Sequence, residues 1–200
     1  MNRVILYHAR LPDRLGAGEL APLLERISYA KRVSLAARRA DRETSLVGIA
    51  LALAAAGAVR GRPLAPELLR FPAGGKPFFA SERAPDFSVS HSGRCVVAAA
   101  SARGAVGVDL EQAAGSGLAA SVRSEWSARE AVVKALGFGL RVAPEVQLQG
   151  GRAVFRGRRL QLRSVPLDAG NAIWLATDFA PGAVEAAVLD PLAELRRHAA

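Results

Sequence analysis

The stretch Leu46–Val59 is apolar for 14 consecutive residues and carries Gly48 and Gly57 within it. It is shorter than the roughly 20 residues a membrane span requires, and its Ala and Leu content suits a helix. The expectation is a buried helix from Ser45 to Ala58, ended near Gly57. Half of the 200 residues are hydrophobic and 22% are charged, which is globular composition and excludes a disordered chain. The length provides one ordinary domain or two small lobes sharing a core.

Around the apolar run the pattern is mixed. RVILYHA at the start reads as a strand closed by Pro12, and helical patterning covers Glu19–Ala40. Residues 60–86 are broken by Pro63, Pro66, Pro72, Gly74, Gly75, Pro77 and Pro85 and read as loop. Phe87–Ser90 and Arg94–Ser101 read as a hairpin around SHSG, and Ala105–Glu111 as a further strand. After the Gly115–Gly117 break, Ser127–Leu136 reads as a short helix stopped by Gly137. GRAVFRG, RRLQLRSV and NAIWLATDF are strand-like, and PLAELRRHA is a helical tail. Helices and strands without βαβ alternation predict an α+β fold, with a lobe boundary near 102/103 dividing residues 1–102 from 103–200.

The net charge of +9 comes from 27 Lys and Arg against 18 acids and points to an anionic partner. Of the 27 cations, 24 are Arg; Lys occurs only at 31, 76 and 134, which marks positions where a compact ammonium is needed. Aromatic residues make up only 6% and are not interleaved with the basic ones, which disfavours a nucleic-acid stacking surface. The single Cys95 excludes an intramolecular disulfide and a Cys-based zinc site, and it lies in an apolar run suited to a core. No secretory leader pattern opens the chain, and a cytoplasmic location is expected.

Four segments hold chemistry-bearing residues. In GVDLE, strand alternation puts Asp109 and Glu111 on one face about 7 Å apart, suited to sharing a hard cation or simply to facing water. In SEWSAREAVVKALG, Glu130 and Lys134 share a helix face. Ser127 and Glu130 also fit a capping box, with Trp126 as a packing anchor. In FSVSHSG, Ser90, His91 and Ser92 offer hydroxyls and an imidazole suited to phosphate oxygens, or an ordinary turn. A Ser–His–Asp hydrolase using Asp109 is disfavoured, because sequence-adjacent Ser and His rarely reach triad geometry and no nucleophile elbow is present. In GGKPFF, the glycines allow close approach to a ligand and Lys76 supplies a point charge; alone it reads as a solvated turn. The basic cluster of Lys31, Arg32, Arg38 and Arg39 reads as a solvated helix face.

Taken in order, GKP, SHSG, GVDLE and WSAREAVVK resemble the 4′-phosphopantetheinyl transferases of the two-lobed, surfactin-synthetase-activating type. The resemblance runs from the opening strand through NAIWLATDF. It implies two similar α+β lobes related by a pseudo-twofold, with the ligand in the cleft between them. The implied activity is transfer of the phosphopantetheine arm of coenzyme A to a serine of an acidic apo carrier protein, releasing 3′,5′-ADP. By the same resemblance Asp109, Glu111 and Glu130 hold Mg²⁺ against the pyrophosphate, and Glu130 takes the serine proton. Lys134 sits near the transferring phosphate, Lys76 and Ser90 contact coenzyme A, His91 binds a phosphate oxygen, and Arg32 and Ser45 contact the 3′-phosphate. No nucleic-acid or membrane partner is implied, and a monomer is expected.

The chain departs from the family pattern in three places. Arg129 replaces a lysine, Ser88 stands where asparagine is common, and only 14 residues separate Glu111 from Trp126, where larger members have a longer carrier-contacting segment. The alternatives are a relative that binds coenzyme A without transfer, and an Arg-rich nucleic-acid-binding protein, which no recognisable motif supports.

Overall fold

A computed structural model describes residues 2–37, 41–112, 119–168 and 171–197. The elements in chain order are β1 (Arg3–Arg10), α1 (Ala17–Arg26), α2 (Tyr29–Ala37), α3 (Arg42–Arg60), β2 (Leu69–Arg70), β3 (Phe78–Phe79), β4 (Asp86–Ser92), β5 (Cys95–Ser101) and β6 (Val106–Leu110). There follow α4 (Ala120–Leu136), β7 (Gln147–Leu148), β8 (Arg152–Phe155), β9 (Arg158–Asp168), β10 (Asn171–Thr177), β11 (Ala183–Val188) and α5 (Pro191–Arg196). The fold is mixed α+β, as the patterning predicts.

Two main sheets form, in the orders β11-β1-β5-β4 and β6-β10-β9-β8-β7. Strand alternation gives each sheet two apolar faces. The outer face of the first sheet, with Ile5, Ala9, Phe87, Val96, Ala98 and Ala100, packs on α3. Its inner face, with Val4, Leu6, Val97 and Ala99, meets Val106, Val108, Leu110, Ile173 and Leu175 of the second sheet. The second sheet's outer face packs on α4 through Ala153, Phe155, Leu160 and Ala176. The layers therefore run helix, sheet, sheet, helix. Cys95 is buried in the inter-sheet core.

Sequence patterning located most elements but misplaced several ends. The expected Glu19–Ala40 helix is two helices over the described residues, because the backbone at Ile27 turns extended (φ −88°, ψ 161°), and that side chain is buried in the core shared with α3 and the first sheet. Helix α3 runs through Gly57 and stops at Gly61, whose φ of 75° allows the left-handed C-cap. By length and composition α3 is also apolar enough to cross a bilayer, with 67% of the relevant window buried within the fold. The last strand, β11, was not expected. It pairs in parallel with β1, and α5 packs on α1 and α3, so residues 183–196 lie with the first sheet rather than with residues 103–182.

Two glycines set the helix positions. A Cβ on Gly48 of α3 would lie 2.6 Å from Val89 Cγ1 on β4. A Cβ on Gly107 of β6 would overlap the Ala131 carbonyl oxygen and lie 2.9 Å from Ala135 Cα. At Gly107 the backbones of strand and helix are themselves in contact, which only glycine permits. This close approach brings the face of α4 bearing Glu130 and Lys134 down onto β6.

Candidate active site

The two sheets meet along β4 and β6, strands that belong to separate hydrogen-bonded ladders. Side chains join them instead. Asp86 Oδ2 accepts the Val106 N–H at 2.8 Å, Ser88 Oγ accepts that of Val108 at 3.1 Å, and Ser92 Oγ accepts that of Gln112 at 3.1 Å. Asp86, Ser88, Ser90 and Ser92 alternate along one face of β4, so all reach the same neighbour, and Asp86, Ser88 and Ser92 satisfy edge amides that a backbone ladder would otherwise pair. Ser88 is thus a structural link across the seam.

Ser90 breaks the series. Its hydroxyl donates to Asp109 Oδ1 at 2.8 Å and accepts from Lys134 Nζ at 3.0 Å. Lys134 also pairs directly with Asp109 and lies 3.7 Å from Glu130 Oε2. The Trp126 indole N–H donates to Glu130 Oε1 at 2.6 Å. Ser90 and Asp109 are buried, at 6% and 3% exposure, whereas the Glu130 and Lys134 side chains retain 14% and 22%. Three separate segments, on β4, β6 and α4, therefore supply one compact group at the seam. Asp109 faces α4 because it alternates with Val108 and Leu110, which fill the inter-sheet core.

Electrostatically the group is a pair of carboxylates around one ammonium. Burial pushes the Glu130 carboxyl above its ordinary value, and the negative charge of Asp109 pushes it further; Lys134 and the Trp126 N–H oppose the rise. The result is a carboxylate more basic than one in water and held at the mouth of a polar seam.

The remaining candidate residues are placed differently. Glu111 follows β6 and is exposed. Among the described residues no group of three or more His, Cys, Asp or Glu side chains stands ready to hold a metal. The donor chemistry nevertheless fits a hard divalent cation: Asp109 raises the proton affinity of Glu130, Lys134 is the cation between them, and Mg²⁺ takes few carboxylates and completes its shell with phosphate and water. His91 is exposed and projects to the strand face opposite Ser90. Arg32, on α2, lies over the Tyr29 ring at 5.8 Å, and Ser45 is half-buried in the first turn of α3. No hydrogen bond or ion pair joins His91, Arg32 or Ser45 to the Ser90 group.

Lys76 is not a solvated turn lysine. Its ammonium pairs with Asp86 and donates to the carbonyl oxygens of Val106 at 2.8 Å and Ala135 at 3.3 Å. Burial lowers its pKa, and the Asp86 carboxylate resists that fall. Asp86 was missed from the sequence; the signal was its place two residues before Ser88 in an alternating polar series.

The capping-box alternative for Ser127 and Glu130 is overturned. Helix α4 begins at Ala120, so Ser127 is a mid-helix residue, and its buried hydroxyl has no hydrogen-bond partner. Trp126 is 42% exposed and serves Glu130 rather than the core. Arg129 projects along another flank of α4, where it donates to the carbonyls of Val146 and Pro144. Residues Arg38, Arg39 and 113–118, the latter within the short Glu111–Trp126 segment, lie outside the described residues. A concavity of about 830 Å³ lies elsewhere, between the C-terminal end of α3, residues 61–66 and α5, and contains none of these side chains.

Compared with known proteins, the chain matches no protein-family model and no curated protein.

Proposed function

We propose that the chain is a 4′-phosphopantetheinyl transferase, moving the phosphopantetheine arm of coenzyme A to a serine hydroxyl of an acidic apo carrier protein and releasing 3′,5′-ADP. The observation that carries the reading is the meeting of Ser90, Asp109, Glu130 and Lys134, residues from three of the four motifs that suggested the family. In this reading the two sheets with their outer helices are similar halves, and the ligand lies in a cleft at the β4–β6 seam.

Asp109 and Glu130, with Glu111 at the strand end, would hold Mg²⁺. Bound there, the ion supplies charge neutralisation for the pyrophosphate and the leaving phosphate. Lys134 presents an ammonium to the transferring phosphoryl oxygens. Glu130, made more basic by burial and by Asp109, accepts the proton of the attacking serine directly or through a water. The Trp126 N–H holds Oε1 of the carboxylate, and Lys134 lies 3.7 Å from Oε2. Ser90 anchors the Asp109 carboxylate and offers its hydroxyl to coenzyme A. His91, Arg32 and Ser45, all on the first sheet's side, are assigned to the nucleotide phosphates. The positive charge of the chain favours both coenzyme A and an acidic carrier.

The test is the intact mass of a panel of apo carrier proteins after incubation with the protein, coenzyme A and Mg²⁺. A gain of one phosphopantetheine arm, abolished by EDTA, supports the reading. No gain on any carrier, with coenzyme A still bound, selects the non-transferring relative. One observation favours that second reading: Lys134 already neutralises Asp109, and among the described residues Glu111 completes no group of three metal-ligating side chains.

A further inference from the structure

We infer that Lys76, with Asp86, is a positioning pair that sets α4, and with it Glu130 and Lys134, against Ser90 on β4. The pair joins three elements at one nitrogen: Asp86 belongs to β4, the Val106 carbonyl to β6 and the Ala135 carbonyl to the last turn of α4. Ala135 is the neighbour of Lys134. The Asp86 carboxylate also accepts the Val106 N–H at 2.8 Å, so one residue pair closes both polar groups of Val106. Helix α4 ends at Gly137, where a Cβ would lie 3.5 Å from Lys76 Cβ, and the lysine stem packs against this end.

The chemistry explains the residue type. An ammonium has three donors arranged around one atom, which matches three acceptors converging from separate elements; a planar guanidinium does not. A chain that writes 24 of 27 cations as Arg keeps Lys here for that geometry. The ammonium's three hydrogens are all directed at the protein, which assigns Lys76 to holding the site rather than touching the ligand. The geometry stands on its own; the kinetic consequence rests on the transferase reading.

Two tryptophans make the test independent of that reading. Trp174 of β10 donates to Ser124 Oγ at 3.0 Å and so reports where α4 lies on the sheet, while Trp126 donates to Glu130 within α4 and reports the charges around Glu130, which change if α4 shifts away from Asp109. In K76M, ¹⁵N–¹H spectra of the full chain are expected to show both indole resonances displaced. The double variant K76M/D86N removes the half-buried carboxylate left without its cation and guards against failure to fold; it is expected to show the same displacement, and K76R not to restore the wild-type positions. With a carrier that accepts the arm, kcat should fall ten- to a hundredfold, on the order expected for a misplaced catalytic group, with KM for coenzyme A changed less than about twofold. Indole resonances unchanged in both variants would overturn the inference whether or not any carrier is modified. A raised KM with unchanged kcat and unmoved indoles would overturn it too, and would return Lys76 to the ligand.

Discussion

Helices α3 and α4 each cover the outer face of one sheet, yet they do so with different chemistry. Helix α3 is buried along most of its length by Leu, Ala, Val and Ile, and its tightest glycine contact, at Gly48, is with a side chain, Val89. Helix α4 buries a narrow stripe of Ser127, Ala128, Ala131, Val132, Val133 and Ala135, and its glycine contact is with backbone. That stripe includes the Ser127 hydroxyl, which has no hydrogen-bond partner, and beside it the helix keeps Glu130 and Lys134. The first helix is organised for stability. The second gives up apolar contact to hold charges beside β6, a pattern expected where a site rather than a core sets the residue choice.

Three substitutions test that contrast, from the largest effect to the smallest. Asp109→Ala removes the centre of the α4 charge group and should reduce transfer by about 10³-fold or more, roughly 4 kcal/mol of barrier. Carrier mass in a timed assay measures it, and full activity would refute the metal assignment. Gly107→Ala should cost about 3 kcal/mol or prevent folding, because strand and helix backbones must separate. Gly48→Ala in α3 should cost only about 1 kcal/mol, since Val89 is displaced but helix propensity is gained. Urea titrations of the two variants compare them directly, and equal losses would erase the distinction between the helices.

Glu130→Gln separates function from stability. The folded carboxyl binds its proton more readily than the unfolded one does at 4.5. The native state therefore holds more protons in the window above that value, and stability falls as pH rises through it. The glutamine variant lacks this loss. It should melt higher than wild type at neutral pH, the gap closing as pH falls toward 4.5, while transfer drops by about 10²- to 10⁴-fold. Calorimetry across pH reads the first effect, and a constant gap at every pH would reject the electrostatic account. Ser127→Ala removes a buried hydroxyl that has no partner and should stabilise by about 1 kcal/mol; a loss of stability would mean the hydroxyl is satisfied in solution.

The sequence was most legible where periodicity is strong. The strands β1, β4, β5, β6, β8, β9 and β10 and the core of α3 follow directly from alternation or from the apolar run. Less was legible where a distant partner sets an end. The first two turns of α4 carry Ser121, Arg123, Ser124 and Glu125, and a local reading starts the helix at Ser127. In the fold, Trp174 of β10 reaches Ser124 and those turns become helical. The strand AVEAAV has too much alanine for a clear strand signal, and only the open edge of β1 makes it β11.

What the sequence determined by itself is the set of chemical groups: two carboxylates flanking an apolar strand pattern, a Glu–Lys pair four residues apart, and three lysines in a chain of arginines. Two of those lysines, Lys76 and Lys134, do stand where several acceptors converge on a point charge, while Lys31 lies over the Phe71 ring at 4.9 Å. Which acceptors they meet was decided by the tertiary structure alone. Lys76 and the carbonyls of Val106 and Ala135, or Ser90, Asp109 and Lys134, come together only when two sheets meet at β4 and β6, and hydrogen bonds between residues 19 to 59 positions apart leave no periodic trace in the chain.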